Sequence, residues 1–281
     1  MSAKDTVGPL RRVLVRELRP EDAALWHVYG WRAEPDLEQA GREHAEFRAL
    51  LASAGAEVVL ADSPMEANPD GIYTCDPALE SPFGTVLLRP GKLGRRVEVD
   101  AMEQALGAAS EAIVGRIELP GTAEGGDLVW LDKNTLLAGR SYRTNDVGLE
   151  QLRALLPGVE VLAFDLPHLS GPADVWHLRS FISMLDHDLA LVFSPHIPAR
   201  LMGLLTDRGI TTLEVPVSEF PTMGTNTLAL APRVALALEG NDGTRRLMEG
   251  AGVEVLTYRG EEISRKGAGG PTCLTRPIDR D

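Results

Sequence analysis

The chain has 281 residues, 44% of them hydrophobic and 25% charged, a globular composition long enough to bury a substantial core. No apolar run is long enough to span a membrane, two cysteines cannot make a disulfide framework, and a formal net charge of -13 argues against nucleic acid or an anionic membrane as a partner. The acidic balance suits a cationic small molecule. The start is polar and lacks the apolar core of a signal peptide, so a reducing cytoplasm is the expected compartment.

Read for internal repeats, the chain carries one pattern five times. Residues 37–54 place apolar side chains at helical spacing and run into the β-branched stretch 56–60. The same helix-to-strand passage recurs at 99–112 into 113–119, 146–156 into 159–164, 199–208 into 211–215 and 243–251 into 253–258. Between these units lie pairs of apolar runs split by a polar turn. They are 72–88, turning near Ser81-Pro82-Phe83-Gly84; 128–138, at Asp132-Lys133-Asn134; 181–193, at Asp186-His187-Asp188; and 227–238, at Pro232-Arg233. A fifth would join 273–278 to 12–18, pairing the two ends of the chain and hiding sheet edges. The unit is strand-strand-helix-strand. It predicts an α/β fold closed into a ring, a single domain over 1–281, with two α/β domains as the alternative.

A ring of repeats brings equivalent positions to one axis. The residues that open each hairpin include Asp70 and Asp76, Glu124 and Asp127, His177 and Arg179, Asn226, and Cys273. Each has an ordinary reading alone. Asn68-Pro69-Asp70-Gly71 is a turn signal, Asp76 precedes Pro77, and Glu124-Gly125-Gly126-Asp127 is a turn with solvated acids. The basic loop 88–96 and the arginines of 139–145 could be solvated or could grip a carboxylate. His177 alone would be a core histidine, and Cys273, after Gly267-Ala268-Gly269-Gly270-Pro271-Thr272, a small buried hydrophobe. Together they could put a thiol nucleophile, an acid–base group and carboxylates around one pocket. Asp186-His187-Asp188 reads as a hairpin turn, and no metal site is expected. Residues 20–35 could form a lid over the pocket.

These residues resemble the guanidino-group-modifying (pentein) superfamily, and within it most the dimethylarginine dimethylaminohydrolases. The resemblance runs along nearly the whole chain. It is carried by Pro69-Asp70 with Asp76, Arg89-Pro90-Gly91 with Arg95-Arg96, Glu124-Gly125-Gly126-Asp127, Arg143-Thr144-Asn145, His177-Leu178-Arg179-Ser180-Phe181, Gly224-Thr225-Asn226 and Thr272-Cys273. It implies a five-bladed α/β propeller of ββαβ units. It also implies a cofactor-free hydrolase that cleaves a guanidino C–N bond of an arginine derivative, with an Nω-methylated arginine going to citrulline and an alkylamine. Cys273 would attack the guanidinium carbon, and His177 would protonate the leaving amine and then activate water. Glu124 would orient His177. Asp76 and Asp70 would hold the guanidinium nitrogens, Arg95 and Arg143 would clamp the substrate carboxylate, and Gly267 would touch the amino-acid end. Arginine deimination or dihydrolysis and amidino transfer on the same site are the alternatives. A non-catalytic binding factor of the same fold would lack the cysteine and histidine. A homodimer is compatible with the resemblance. Three positions depart from the family pattern or divide it: Cys75 stands where relatives carry an acid, Gly71 where serine is usual, and Arg179 where arginine deiminases carry an aspartate.

Overall fold

The computed structural model describes residues 5–281. Five three-stranded sheets make up the fold, and one connection is repeated through all of them. Strand β1 (Leu10–Val15) leads through the helix Leu37–Ser53 to β2 (Glu57–Leu60), which lies parallel to it. The second sheet is an antiparallel hairpin of β3 (Ala78–Ser81) and β4 (Gly84–Leu87), then the helix Glu98–Ala108 and a parallel β5 (Ile113–Arg116). The third is β6 (Leu128–Asp132), β7 (Thr135–Arg140), helix Asp146–Leu155 and β8 (Glu160–Asp165). The fourth is β9 (Ile182–Asp186), β10 (Leu189–Val192), helix Ala199–Asp207 and β11 (Thr211–Glu214). The fifth is β12 (Leu228–Ala231), β13 (Val234–Leu238), helix Asp242–Gly250 and β14 (Glu254–Tyr258). The last strand, β15 (Arg276–Arg280), returns to pair antiparallel with β1, Val13 opposite Pro277 and Leu14 opposite Arg276. The chain ends therefore meet, as the repeat predicts, and the arrangement is the five-repeat α/β propeller.

Local chemistry explains the repeat. The helix Leu37–Ser53 starts where the Asp36 side chain accepts a hydrogen bond from the Gln39 N–H at 3.0 Å. Ala40, His44, Phe47 and Leu51 recur at helical spacing and form its buried face. Phe47 packs edge-on against Tyr258 of β14 at 4.8 Å between ring centroids, and burying it contributes about 2–3 kcal/mol. Gly55, at φ +94°, then turns the chain into β2. The helix Asp146–Leu155 begins the same way, with Asn145 accepting from the Gly148 N–H at 2.8 Å. β10 is buried on both faces, which is why its run Leu189-Ala190-Leu191-Val192 shows no alternation.

Two boundaries differ from the sequence expectation. The hairpin expected over 72–88 begins at Ala78, because Pro69–Ile72 is a 3₁₀ turn and Pro77 carries no N–H for a ladder. The strand expected over 273–278 begins at Arg276, so Cys273 sits ahead of the ladder, in a tight turn. That offset is general and it positions the site. Short 3₁₀ turns at Pro69–Ile72, Gly125–Asp127 and Leu178–Ser180 precede β3, β6 and β9. Glu124 and His177 both cap such a turn in extended backbone conformation, so the repeat itself brings them to equivalent places. Among the described residues, no helix is long and apolar enough to cross a membrane.

Candidate active site

The turn before β9 presents His177 to the turn before β6. His177 Nε2 lies 2.7 Å from Glu124 Oε2, and Glu124 is fully buried. Arg143 Nη1 donates to both oxygens of Glu124, at 3.3 and 3.2 Å. The Lys92 N–H donates to Glu124 Oε1 at 3.1 Å, and the Glu124 N–H donates to Thr144 Oγ1. Buried Asp127 pins the histidine turn by accepting from the Leu178 N–H at 3.2 Å and from Ser141 Oγ at 2.8 Å. Burial disfavours charge on the His177 ring, but Asp127, the Glu124 hydrogen bond and the charge of Asp76 outweigh it and lift the imidazolium to about 9. Burial alone would push Glu124 up. The hydrogen bond and charge of His177, with the charges of Arg143 and Arg95, hold it well below the usual carboxylate range. Asp127 goes the other way: burial pushes it to about 6, against the charge of His177 and hydroxyl bonds from Thr144 and Ser141.

Cys273 is half-buried and free. Its turn is fixed by Asn226, whose Oδ1 accepts from the Thr272 N–H at 3.1 Å and from Thr272 Oγ1 at 2.8 Å, while Nδ2 donates to Cys273 Sγ at 3.3 Å. The Cys75 N–H donates to the Cys273 carbonyl at 3.2 Å and ties the turn to the first acidic loop. Burial pushes the thiol up and the charge of Asp76 adds to it, against hydrogen bonds from Asn226 and Thr272. A cation placed beside Asp76 would reverse the electrostatic part of that shift.

The turn Gly125–Asp127 must approach closely. A Cβ on Gly125 would lie 2.1 Å from the Cys75 carbonyl oxygen, and one on Gly126 would lie 2.7 Å from His177 Cγ and 3.1 Å from Asp76 Oδ1. The Gly126 N–H donates to Asp76 Oδ1 at 2.7 Å. Ligand atoms of Asp76, Glu124 and His177 lie within 4.8 Å of one another. Cys273 and His177 line one cavity of about 310 Å³, with Asn226 and Gly126 in the same wall. Thiol, imidazole and carboxylates from three parts of the chain thus converge.

The two arginines expected to clamp a substrate carboxylate are placed otherwise. Arg95 is buried, its guanidinium bonded to Asp76, to Glu98 at 2.7 Å through both Nε and Nη2, and to the carbonyls of Asp70 and Tyr73. Arg143 is spent on Glu124 and on the carbonyls of Pro172 and Ala173. Neither is among the residues lining the cavity. Low-dielectric burial makes an internal carboxylate the partner each can reach. Asp70 is likewise engaged, accepting from Lys92 Nζ at 2.7 Å and from Trp31 Nε1 at 2.9 Å. Gly267 faces Trp31 and the Tyr73 hydroxyl, and its neighbour Ala268 reaches the cavity instead. The segment 20–35, considered as a lid, contains the single-turn helices Pro20–Ala23 and Trp26–Tyr29 and delivers Trp31 to Asp70 and Arg32 to the cavity. The anchoring by Asn226 was foreshadowed by its place at a repeat opening. Lys92 lies in the basic loop 88–96, which reads as able to grip a carboxylate, and the carboxylate it holds is that of Asp70; Trp31 carries no such signal in the sequence.

The fold and this convergence define a class, the guanidino-group-modifying pentein superfamily. The arginine deiminase family profile matches residues 109–207 and 216–280, more than half of the chain, and the chain belongs to that family. It is 26% identical over 246 residues to the N(G),N(G)-dimethylarginine dimethylaminohydrolase of Pseudomonas aeruginosa, covering 86% of this chain and 89% of that one. It is 30% identical over 195 residues to the arginine deiminase of Mycoplasma capricolum subsp. capricolum, covering 57% of this chain and 47% of that one, so it spans about half the length of that relative. Its fold superposes on a mutant of the Pseudomonas aeruginosa enzyme complexed with citrulline, with a TM-score of 0.79 at 23% identity over 95% of this chain and 98% of that one. The N-terminal domain of a cyanobacterial arginine dihydrolase bound to product gives 0.81 at 18% identity over 96% and 97%.

Proposed function

We propose that residues 1–281 act as one catalytic domain, a cysteine-dependent hydrolase that cleaves a guanidino C–N bond of an Nω-substituted arginine, with dimethylarginine the first candidate. The observation that carries this reading is the sharing of one cavity wall by Cys273 and His177, with His177 held by buried Glu124 at 2.7 Å. The substrate guanidinium binds beside Asp76, whose carboxylate Arg95 and the Gly126 N–H hold in place, and its charge favours the thiolate of Cys273. The thiolate forms a C–S bond at the guanidinium carbon. The bond to the substituted nitrogen then breaks, and that nitrogen leaves as an amine carrying the proton of His177. The neutral imidazole next takes a proton from water, the hydroxide adds to the thiouronium carbon, and the C–S bond breaks to return the thiolate and release citrulline. Arg143 and Arg95 act through the carboxylates they hold.

The similarity to the arginine deiminases supports a second reading, unmodified arginine going to citrulline and ammonia on the same residues. Arg179 favours the first: a buried cation near Gly125, where a carboxylate would grip an unsubstituted nitrogen, removes one acidic contact. The test is a panel of guanidines with citrulline, alkylamine and ammonia measured separately, and mass spectrometry of Cys273 for a trapped adduct. Amine release from dimethylarginine with an adduct on Cys273 is the expected result. Ammonia from arginine without amine from dimethylarginine would favour the second reading. Turnover that survives Cys273→Ser would overturn both.

A further inference from the structure

We infer that a small chamber between β3, β12 and β15, behind the nucleophile turn, binds one monovalent inorganic anion of halide size, with Arg179 and Thr227 as its donors. The site goes beyond the hydrolase reading, and its test needs no turnover.

Size selects the ligand. The chamber holds about 20 Å³. One water needs roughly 10–15 Å³, so there is room for a single atom of water or halide size and none for a phosphate.

Charge selects an anion. Three guanidinium groups, Arg179, Arg276 and Arg280, share the wall with one carboxylate, Glu80. Glu80 is already committed to Arg276, whose nitrogens also donate to the carbonyls of Cys75, Ala78 and Pro277. Arg280 donates to the carbonyls of Gly8 at 2.6 Å and Ala229 at 2.8 Å. Arg179 is the least satisfied of the three. It is only 8% exposed, and its one hydrogen bond among the described residues runs from Nε to the Gly125 carbonyl at 3.3 Å. Among the described residues no ion pair reaches it, so both terminal nitrogens are left to a ligand. Thr227 belongs to the same wall, and its buried Oγ1 has no hydrogen-bond partner among the described residues.

The neighbouring groups do not supply the missing charge. Burial pushes the Cys75 thiol up, against the attraction of Arg179 and Arg276, and keeps it neutral. Burial pushes Arg280 down to about 9; Asp5 opposes this, and the charges of Arg179 and Arg276 add to it, so the guanidinium groups act on one another. Asp5 is taken up by the Val7 and Gly8 N–H groups, at 2.9 and 2.6 Å. Asp76, which acts on Arg276, is held by Arg95 and by the Gly126 N–H. A buried cation without a counter-ion is costly, and so is a buried hydroxyl without a partner. An anion accepting from Arg179 and Thr227 removes both costs. Cys75 and Thr272 place the chamber directly behind Cys273, and Arg179 is part of the catalytic cavity wall as well. The anion therefore offsets a charge that otherwise repels any cation entering that cavity.

The experiment follows thermal unfolding of the full chain near neutral pH at constant ionic strength, as potassium gluconate is exchanged for potassium chloride or bromide up to about 0.2 M. Chloride NMR line width reports binding directly. The expected result is a saturating rise in Tm of roughly 2 °C or more with either halide, and chloride broadening that bromide reverses. Both effects should vanish in Arg179→Met. In Thr227→Val, which keeps the shape and removes the hydroxyl, the apparent affinity should fall about threefold or more. A Tm and a line width indifferent to halide overturn the inference. So does a response that both folded variants retain in full, which marks ions bound on the surface only. If Arg179→Met does not fold, Thr227→Val decides alone. Failure on these measurements leaves the hydrolase reading standing.

Discussion

Replacing Glu124 by glutamine keeps the side chain's shape and removes its charge, and the consequences can be worked from the geometry. His177 sits at about 9 against an ordinary 6.5, although burial works against its charge. At 1.36 kcal/mol per unit, that is on the order of 3 kcal/mol of preference for the imidazolium. Glu124 supplies part of it, through a 2.7 Å hydrogen bond and its charge, while Asp127 and Asp76 remain in the variant. The imidazolium of E124Q is therefore expected to titrate on the order of one unit lower. In the proposed reaction the leaving amine takes that proton, so the alkaline limb of kcat should move down with it and kcat should fall roughly 100-fold. The signs for stability differ between the partners. A raised histidine stabilises the fold fully below 6.5, and that contribution fades as pH rises through about 9. A depressed carboxylate stabilises above its ordinary 4.5 and loses the contribution as pH falls. The stability gap between the natural chain and E124Q should thus be widest from about pH 5 to 9 and narrow above it, where the charges of Arg143 and Arg95 still act on Glu124. Citrulline release from about pH 5 to 10, an NMR titration of the His177 ring and thermal unfolding across the same range measure all three. A folded E124Q in which both the ring titration and the alkaline limb stay where they were would refute the assigned pairing.

Arg143→Ala leaves a buried carboxylate with only His177 as its charged hydrogen-bond partner, and should cost about 3–5 kcal/mol of stability while lowering kcat and shifting the pH profile; Arg143→Lys should recover part of both. A rise in KM alone, with the pH profile unmoved, would restore Arg143 to the carboxylate clamp and sink the positioning role. Asn226→Ala removes the 3.3 Å bond to Cys273 and the anchor of Thr272. It should raise the pH midpoint of thiol alkylation, lower kcat/KM about tenfold and cost about 1–2 kcal/mol; an unchanged alkylation midpoint would count against it.

The repeat was legible in the sequence by itself, as was the set of residues, Glu124, His177 and Cys273, that the turns before the strands bring to the candidate site. Helical spacing in 37–54 and β-branched runs such as 253–258 are local signals, and their fivefold recurrence fixes a ring in which Glu124, His177 and Cys273 open equivalent turns. What each charged group touches was decided only by the tertiary structure. The side-chain type of Arg95 and Arg143 says that they bind carboxylates, and the fold alone says whose: Asp76, Glu98 and Glu124 of the same chain. Trp31 and Lys92 reach Asp70 from different elements, and the cavity wall beside His177 takes in residues between Leu169 and Met223 that share no local pattern. Periodicity is written along the chain because it follows from backbone geometry. A pairing across the ring depends on which side chains the packed sheets leave within reach, at a depth where burial forbids an unpaired charge.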